Sequence, residues 1–133
     1  MGYIRRSMRA LLLEQTKRLI EVERKLPEPG PGELLIKIEV CGLAEREFEA
    51  WFHGTGTVPR VPGSEIVGRV VATAESRGRD RKIVPLFDSG LGTARVGDRV
   101  VVNPFVRGPT GEFFHLGVDS DGGLQEYLAI SAH

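Results

Sequence analysis

Pro27-Glu-Pro-Gly-Pro-Gly32 places three prolines and two glycines in six consecutive positions. Each proline removes an amide donor and fixes its own φ, so neither a helix nor a central strand can pass through this run. The chain must turn here and start a new element at Glu33. Beyond the turn, Leu34, Ile36, Ile38 and Val40 alternate with Lys37 and Glu39, the period of two that marks a half-buried strand. Before it, Met8 to Gln15 and Arg18 to Leu26 flank a short polar step, the pattern of a strand hairpin.

The period changes at Ala44. Ala44, Phe48, Trp51 and Phe52 fall at i, i+4, i+7 and i+8, and Gly54 stands where a helix C-cap belongs, so a short amphipathic helix is expected to follow the strand. Glu65 to Ala72, Asp98 to Asn103 and Leu124 to Ser131 read as further strands. The expected class is mainly β with one or two short helices. Residues 1–7 are patternless and are expected to form a loose leader, with the domain occupying 8–133. A charged run, Arg77 to Lys82, leads into the apolar Ile83-Val-Pro-Leu-Phe87, and the stretch Glu75 to Arg95 is expected to be a long surface excursion with a solvated charged face.

At 133 residues there is room for one domain with its own core. Eighteen basic and eighteen acidic side chains cancel, which excludes the long-range field that recruits nucleic acid or an anionic membrane. Cys41 is the only cysteine. It rules out an internal disulfide and cysteine-rich zinc modules, and it suits a reducing, cytoplasmic compartment. The apolar run Ala10 to Leu13 is too short for a membrane span or a signal-peptide core.

Six motifs occur in a telling order: Met8-Arg-Ala-Leu-Leu-Leu, Pro27-Glu-Pro-Gly-Pro-Gly-Glu33, Glu39-Val-Cys-Gly-Leu43, Val61-Pro-Gly-Ser-Glu-Ile-Val-Gly68, Val96-Gly-Asp-Arg-Val-Val-Val102 and Gly117-Val-Asp-Ser-Asp-Gly-Gly-Leu-Gln-Glu-Tyr127. Together they resemble the amino-terminal, GroES-like domain of the medium-chain dehydrogenase/reductase family, whose zinc alcohol dehydrogenases are its best-known members. The resemblance covers nearly the whole chain and implies a GroES-like, partly open β-barrel.

It also implies where a site would lie. Active zinc members carry a Cys-Gly-x-Cys-x-Ser/Thr-Asp run, whose second cysteine binds the metal, and a Gly-His-Glu run. Matched to that pattern, Cys41 is the non-ligand cysteine, Ala44 occupies the ligand position, Arg46 replaces the proton-relaying hydroxyl residue and Glu47 replaces the Asp. Ser64 replaces the His, and Glu65 is retained. An alanine methyl cannot coordinate and a serine hydroxyl is a poor zinc ligand, so the catalytic metal site is expected to be degenerate and no metal is expected. The four-cysteine lobe that holds the family's structural zinc corresponds here to a cysteine-free stretch, Phe105 to Leu116, which is expected to be a short loop. Glu65 either lines the old substrate cleft or pairs with an arginine such as Arg46 or Arg60; the ion pair is the favoured expectation. Cys41 is expected to be apolar filler, His53 a favourable charge at a helix C-terminus, and His115 a loop residue.

Family oxidoreductases hold NAD or NADP on a second domain through a Gly-x-Gly-x-x-Gly turn. Gly54-Thr-Gly56 fails that pattern at Pro59, and Gly90-Leu-Gly92 fails it at Arg95. No residue here is expected to bind the cofactor, and no oxidoreductase activity is expected of this chain alone. The expected function is the substrate-side domain of an alcohol dehydrogenase-like oxidoreductase, using NAD(P) only when a nucleotide-binding domain or subunit supplies it. In that case the face toward such a partner should expose an apolar patch of several hundred Å², roughly. The alternative is a non-catalytic GroES-like binding or scaffold module, self-associating or docking through the Glu75 to Arg95 excursion.

Overall fold

The computed structural model describes residues 6–74, 84–85, 93–108 and 110–131. Ten strands and one helix follow in order: β1 (Ser7–Gln15), β2 (Arg18–Lys25), β3 (Glu33–Gly42), α1 (Glu45–His53), β4 (Glu65–Thr73), β5 (Val84–Pro85), β6 (Thr93–Ala94), β7 (Arg99–Val102), β8 (Phe105–Arg107), β9 (Phe113–His115) and β10 (Tyr127–Ser131). β1 and β2 form the expected antiparallel hairpin, and β1 begins inside the stretch expected to be leader, with Ser7 opposite Lys25. The main sheet runs β10-β3-β4-β7, antiparallel throughout.

The segment between Gly122 and Glu126 joins the hairpin to this sheet. Leu11 donates its amide to the Leu124 carbonyl (2.8 Å), Glu126 donates to Arg9 (3.1 Å), and Ile38 donates to Glu126 (2.9 Å). Leu13 and Arg60 exchange backbone bonds of 2.8 and 3.1 Å. The sheets thus wrap into a GroES-like partial barrel that does not close. Leu34, Ile36, Ile66, Val70, Val102, Leu116 and Leu128 fill its interior together with Ala94.

Strict alternation in β3 would put Leu34, Ile36, Ile38 and Val40 on one face. Leu34 and Ile36 are fully buried, but Val40 is 56% exposed. The register shows why: Ile38 faces Gly68 while Val40 faces Val67, so Glu39 is an extra residue, and a one-residue bulge turns every later side chain to the other face.

Three further expectations are corrected by the backbone. Phe105 to Leu116 is not merely a loop: β8 and β9 pair within it, with Phe105 opposite His115. Within the Glu75 to Arg95 excursion, β5 and β6 pair and Ala94 enters the core at 3% exposure. The Arg77 to Lys82 run lies outside the described residues. The strand expected from Leu124 begins at Tyr127, because Leu124 to Glu126 bond alternately to β1 and β3 rather than along one ladder.

Candidate functional site

α1 forms where the sequence reading placed it. Ala44 takes extended N-cap geometry, Gly54 takes the left-handed C-cap conformation (φ 69°), and the Gly54 amide closes on the Ala50 carbonyl at 3.1 Å. His53 sits in the last turn, 3.9 Å from Glu49. Which face is buried is a different matter. Glu47 and Ala50 are the buried positions, whereas Phe48 and Phe52 are more than half exposed. The apolar stripe does not enter the core. With Leu43, Trp51, Leu13 and Leu124 it lines an open groove of 210 Å³.

Glu47 organises the site. One carboxylate oxygen accepts the Ala44 amide at 2.8 Å, the half of a capping box that remains possible when the N-cap residue has no side-chain acceptor. The other oxygen accepts both the Ser64 amide (3.0 Å) and the Ser64 hydroxyl (2.8 Å). Glu47 and Ser64 are 8% and 5% exposed. A buried carboxylate costs several kcal/mol unless its lone pairs are satisfied, and these three donors satisfy them. The two positions that depart from the zinc pattern by Asp→Glu and His→Ser are therefore bonded to each other. Glu47→Ala should cost about 3 kcal/mol in urea unfolding, since it orphans two buried donors and removes a cap contact. Glu47→Gln should cost less, because its amide oxygen retains one acceptor. A near-neutral Glu47→Ala would contradict this role.

The other candidates lie around that bond. The Gly42 backbone lies against Glu65: a methyl added at Gly42 would come within 2.5 Å of a Glu65 carboxylate oxygen. The expected ion pair of Glu65 with Arg46 or Arg60 is not made among the described residues. Arg60 is buried, and its guanidinium donates to the carbonyls of Gly117 (2.6 Å), Thr55 (3.0 Å) and Thr57. The Arg46 guanidinium instead meets Nε2 of His115.

His115 is likewise not a loop residue. It ends β9, is 9% exposed, and packs edge-on against Phe105 with ring centroids 4.7 Å apart. Burial pulls its pKa below the ordinary histidine value and the Arg46 charge pulls the same way, while the Leu116 backbone, Asp119 and Glu47 oppose them. The neutral ring can then accept a hydrogen bond from Arg46 at Nε2, leaving Nδ1 buried with no partner among the described residues.

Cys41 is half-buried, with its thiol close to Gly63 and Gly123. Burial first, then Glu47 and Glu65, push its pKa up to about 11. A thiol so displaced is neither a nucleophile nor a ready metal ligand at neutral pH. Its alkylation by iodoacetamide at mildly alkaline pH should be slower in the folded chain than in urea by about a hundredfold, the ratio of thiolate fractions. Because the folded pKa is raised above its ordinary value, the stability contributed by Cys41 is present below that value, 9.0, and is lost as pH climbs toward about 11. Comparable alkylation rates in the two states would overturn this reading.

Ala44 offers a methyl, the Ser64 hydroxyl is committed to Glu47, and no three His, Cys, Asp or Glu side chains converge among the described residues. No helix among them is long and apolar enough to cross a membrane.

Comparison with known proteins agrees with the fold. The alcohol dehydrogenase GroES-like domain family matches residues 30–133. An uncharacterized zinc-type alcohol dehydrogenase-like protein of Haemophilus influenzae is 31% identical over 95% of this chain and 37% of its own length. The L-galactonate-5-dehydrogenase of Escherichia coli K12 is 31% identical over 93% of this chain and 36% of its own. The alcohol dehydrogenase RspB of E. coli CFT073, solved in complex with NADH, superposes with a TM-score of 0.72 at 28% identity over 95% of this chain and 36% of that one. The chain thus spans a little over a third of the length of these relatives.

Proposed function

Because the chain belongs to the alcohol dehydrogenase GroES-like domain family, we propose that it is the substrate-side domain of a medium-chain oxidoreductase working without a catalytic zinc, and that it depends on a nucleotide-binding domain or subunit for its hydride carrier. The observation that carries this reading is the buried Ser64 to Glu47 bond. Ligating histidines normally lean on a carboxylate partner; here the carboxylate remains, the histidine is a serine, and the pair is closed on itself. With Ala44 at the other ligand position, the polarising role of a metal has no donors to rest on.

In this reading NAD(P), once supplied, carries the hydride, and the chain contributes shape and polarity. The groove beside α1 offers apolar contact, and Phe48, Phe52 and Leu43 are exposed as a surface for a second domain would be. Arg46 brings a positive charge to the position where the family has a proton-relaying hydroxyl. The single half-buried cysteine suits a cytoplasmic setting.

Metal analysis of the chain, purified without chelators, tests the zinc-free part. We expect zinc far below stoichiometric and a thermal midpoint that EDTA does not move. Stoichiometric zinc whose removal lowers the midpoint would refute it.

A further inference from the structure

The geometry points to a second ligand site, in the opening between the β1–β2 hairpin and β10, that takes a small monocarboxylate with an apolar body. It shares no residue with the groove beside α1. The inference goes beyond the oxidoreductase reading and does not rest on it, since every wall of the site belongs to this chain.

The opening follows from the way the barrel fails to close. Ala10 bridges to Gln125, and Glu126 donates to Arg9 at 3.1 Å, but from Tyr127 onward the strand pairs with β3. β10 is an outer strand of its sheet, so the hairpin and the sheet part beyond Glu126. The gap between them is a cavity of 450 Å³, within the range of about 300–1,000 Å³ that holds small organic molecules.

The lining has two kinds of surface. Met8, Leu116 and Leu128 are buried side chains that reach the cavity, and Pro27 and Ala129 add to the apolar area. Polar groups come from three segments: Arg24 and Lys25 from β2, Ser120 and Asp121 from the turn after β9, and Tyr127 from β10. Asp121 is fully engaged, since one carboxylate oxygen accepts the Val61 amide (2.9 Å) and the other an Arg24 nitrogen (2.7 Å). That pair fixes the guanidinium at the wall. The other Arg24 donors, the Lys25 ammonium and the Ser120 and Tyr127 hydroxyls have no partner among the described residues. Two cations therefore share the wall with one carboxylate, and one positive charge is left over.

This inventory selects the ligand. The surplus charge matches a monoanion, and the unengaged N–H and O–H donors suit carboxylate oxygens, which only accept. A bare ion would leave the buried apolar lining in contact with water, so the carboxylate must carry several methylenes or a ring to cover it. A neutral alcohol of the same length makes the apolar contact but leaves the cation unmatched.

The test is titration of the isotopically labelled full chain with sodium octanoate at constant ionic strength, following amide and indole resonances. The amides of Ser120, Asp121 and Tyr127 should shift saturably. The indole of Trp51, the only tryptophan in the chain and a wall of the other groove, should not. Acetate should bind about a hundredfold more weakly for want of the apolar body. 1-Octanol should bind about tenfold more weakly for want of the charge, and Lys25→Gln should weaken octanoate by about the same factor. Lys25 is exposed, so this variant should keep the parent's thermal midpoint and lost binding is separable from lost folding. A response that does not saturate, equal binding of acetate or 1-octanol, undiminished binding in Lys25→Gln, or shifts centred on Trp51 would each overturn the proposal. None of these outcomes bears on the metal content or the cofactor partner by which the oxidoreductase reading is judged.

Discussion

Replacing Gly122 by alanine is expected to destabilise the domain by about 4 kcal/mol or more, which would leave a protein of ordinary stability barely folded. A methyl at this position would sit 2.0 Å from the Gly63 carbonyl oxygen and 2.7 Å from the Gly117 Cα. Both neighbours are backbone, so no rotamer change can relieve the contact. Three strands of chain meet here, and their closeness is what permits the Gly122 amide to reach the Val61 carbonyl at 2.7 Å, the Gly123 amide to reach Gly63 at 2.8 Å, and the Leu124 amide to reach Pro62 at 3.0 Å. Asp121 pins the same turn by accepting the Val61 amide at 2.9 Å and an Arg24 nitrogen at 2.7 Å. Gly97→Ala is the control: its methyl meets nothing within 4 Å, so only the backbone strain of about 1–2 kcal/mol should appear. Urea unfolding of the two variants checks the contrast, and equal losses would show that the three-way contact does not hold the site loop in place.

The second large effect is expected from Arg60→Ala, at about 3–5 kcal/mol. Arg60 is 2% exposed, and its guanidinium satisfies three carbonyls, Thr55, Thr57 and Gly117, on the two loops that flank the candidate site. Truncation leaves the Gly117 carbonyl buried without its donor, frees those of Thr55 and Thr57, and opens a cavity against the Gly56 backbone. Burial pulls the Arg60 pKa below its ordinary value, with Asp119 and Glu47 offsetting part of the effect; a guanidinium is so strong a base that it still binds the loops as a cation. Arg60→Lys should fall between, since an ammonium cannot span the same three acceptors as a planar fork. Denaturant midpoints of the three proteins give the order, and a fully stable Arg60→Ala would contradict it.

Much of this architecture was legible in the residues. The proline-glycine turn, the hairpin before it, the strand after it and the helix from Glu45 to Gly54 all follow from local signals that the tertiary structure did not override. What was not legible depended on contacts distant in sequence. The bulge at Glu39 breaks an alternation that looks perfect in β3 alone, because register belongs to the pair of strands. The exposed face of α1 is another case, since periodicity shows that a stripe exists but not what covers it. At the site, substitution by substitution reading identified Ala44, Arg46, Ser64 and Glu65 as altered or retained positions. It missed that Glu47 and Ser64 bond to each other, that Arg60 is buried among carbonyls, and that His115 rather than Glu65 receives Arg46. A lone arginine between Pro59 and Val61 carries no sign of burial, and the capping signature that would have flagged Glu47 is muted by an alanine at the N-cap.

In the proposed function this chain supplies the substrate side of a cleft whose cofactor side lies elsewhere. The most direct measurement is the native mass and composition of the protein as isolated from its source cells, under conditions that preserve assemblies. Either a heavier polypeptide or a co-purifying chain of nucleotide-binding size is expected, with NAD(P)H binding confined to that assembly. A lone or self-associated chain of 133 residues, with no nucleotide-binding companion, would contradict it and favour a GroES-like module that binds without catalysing.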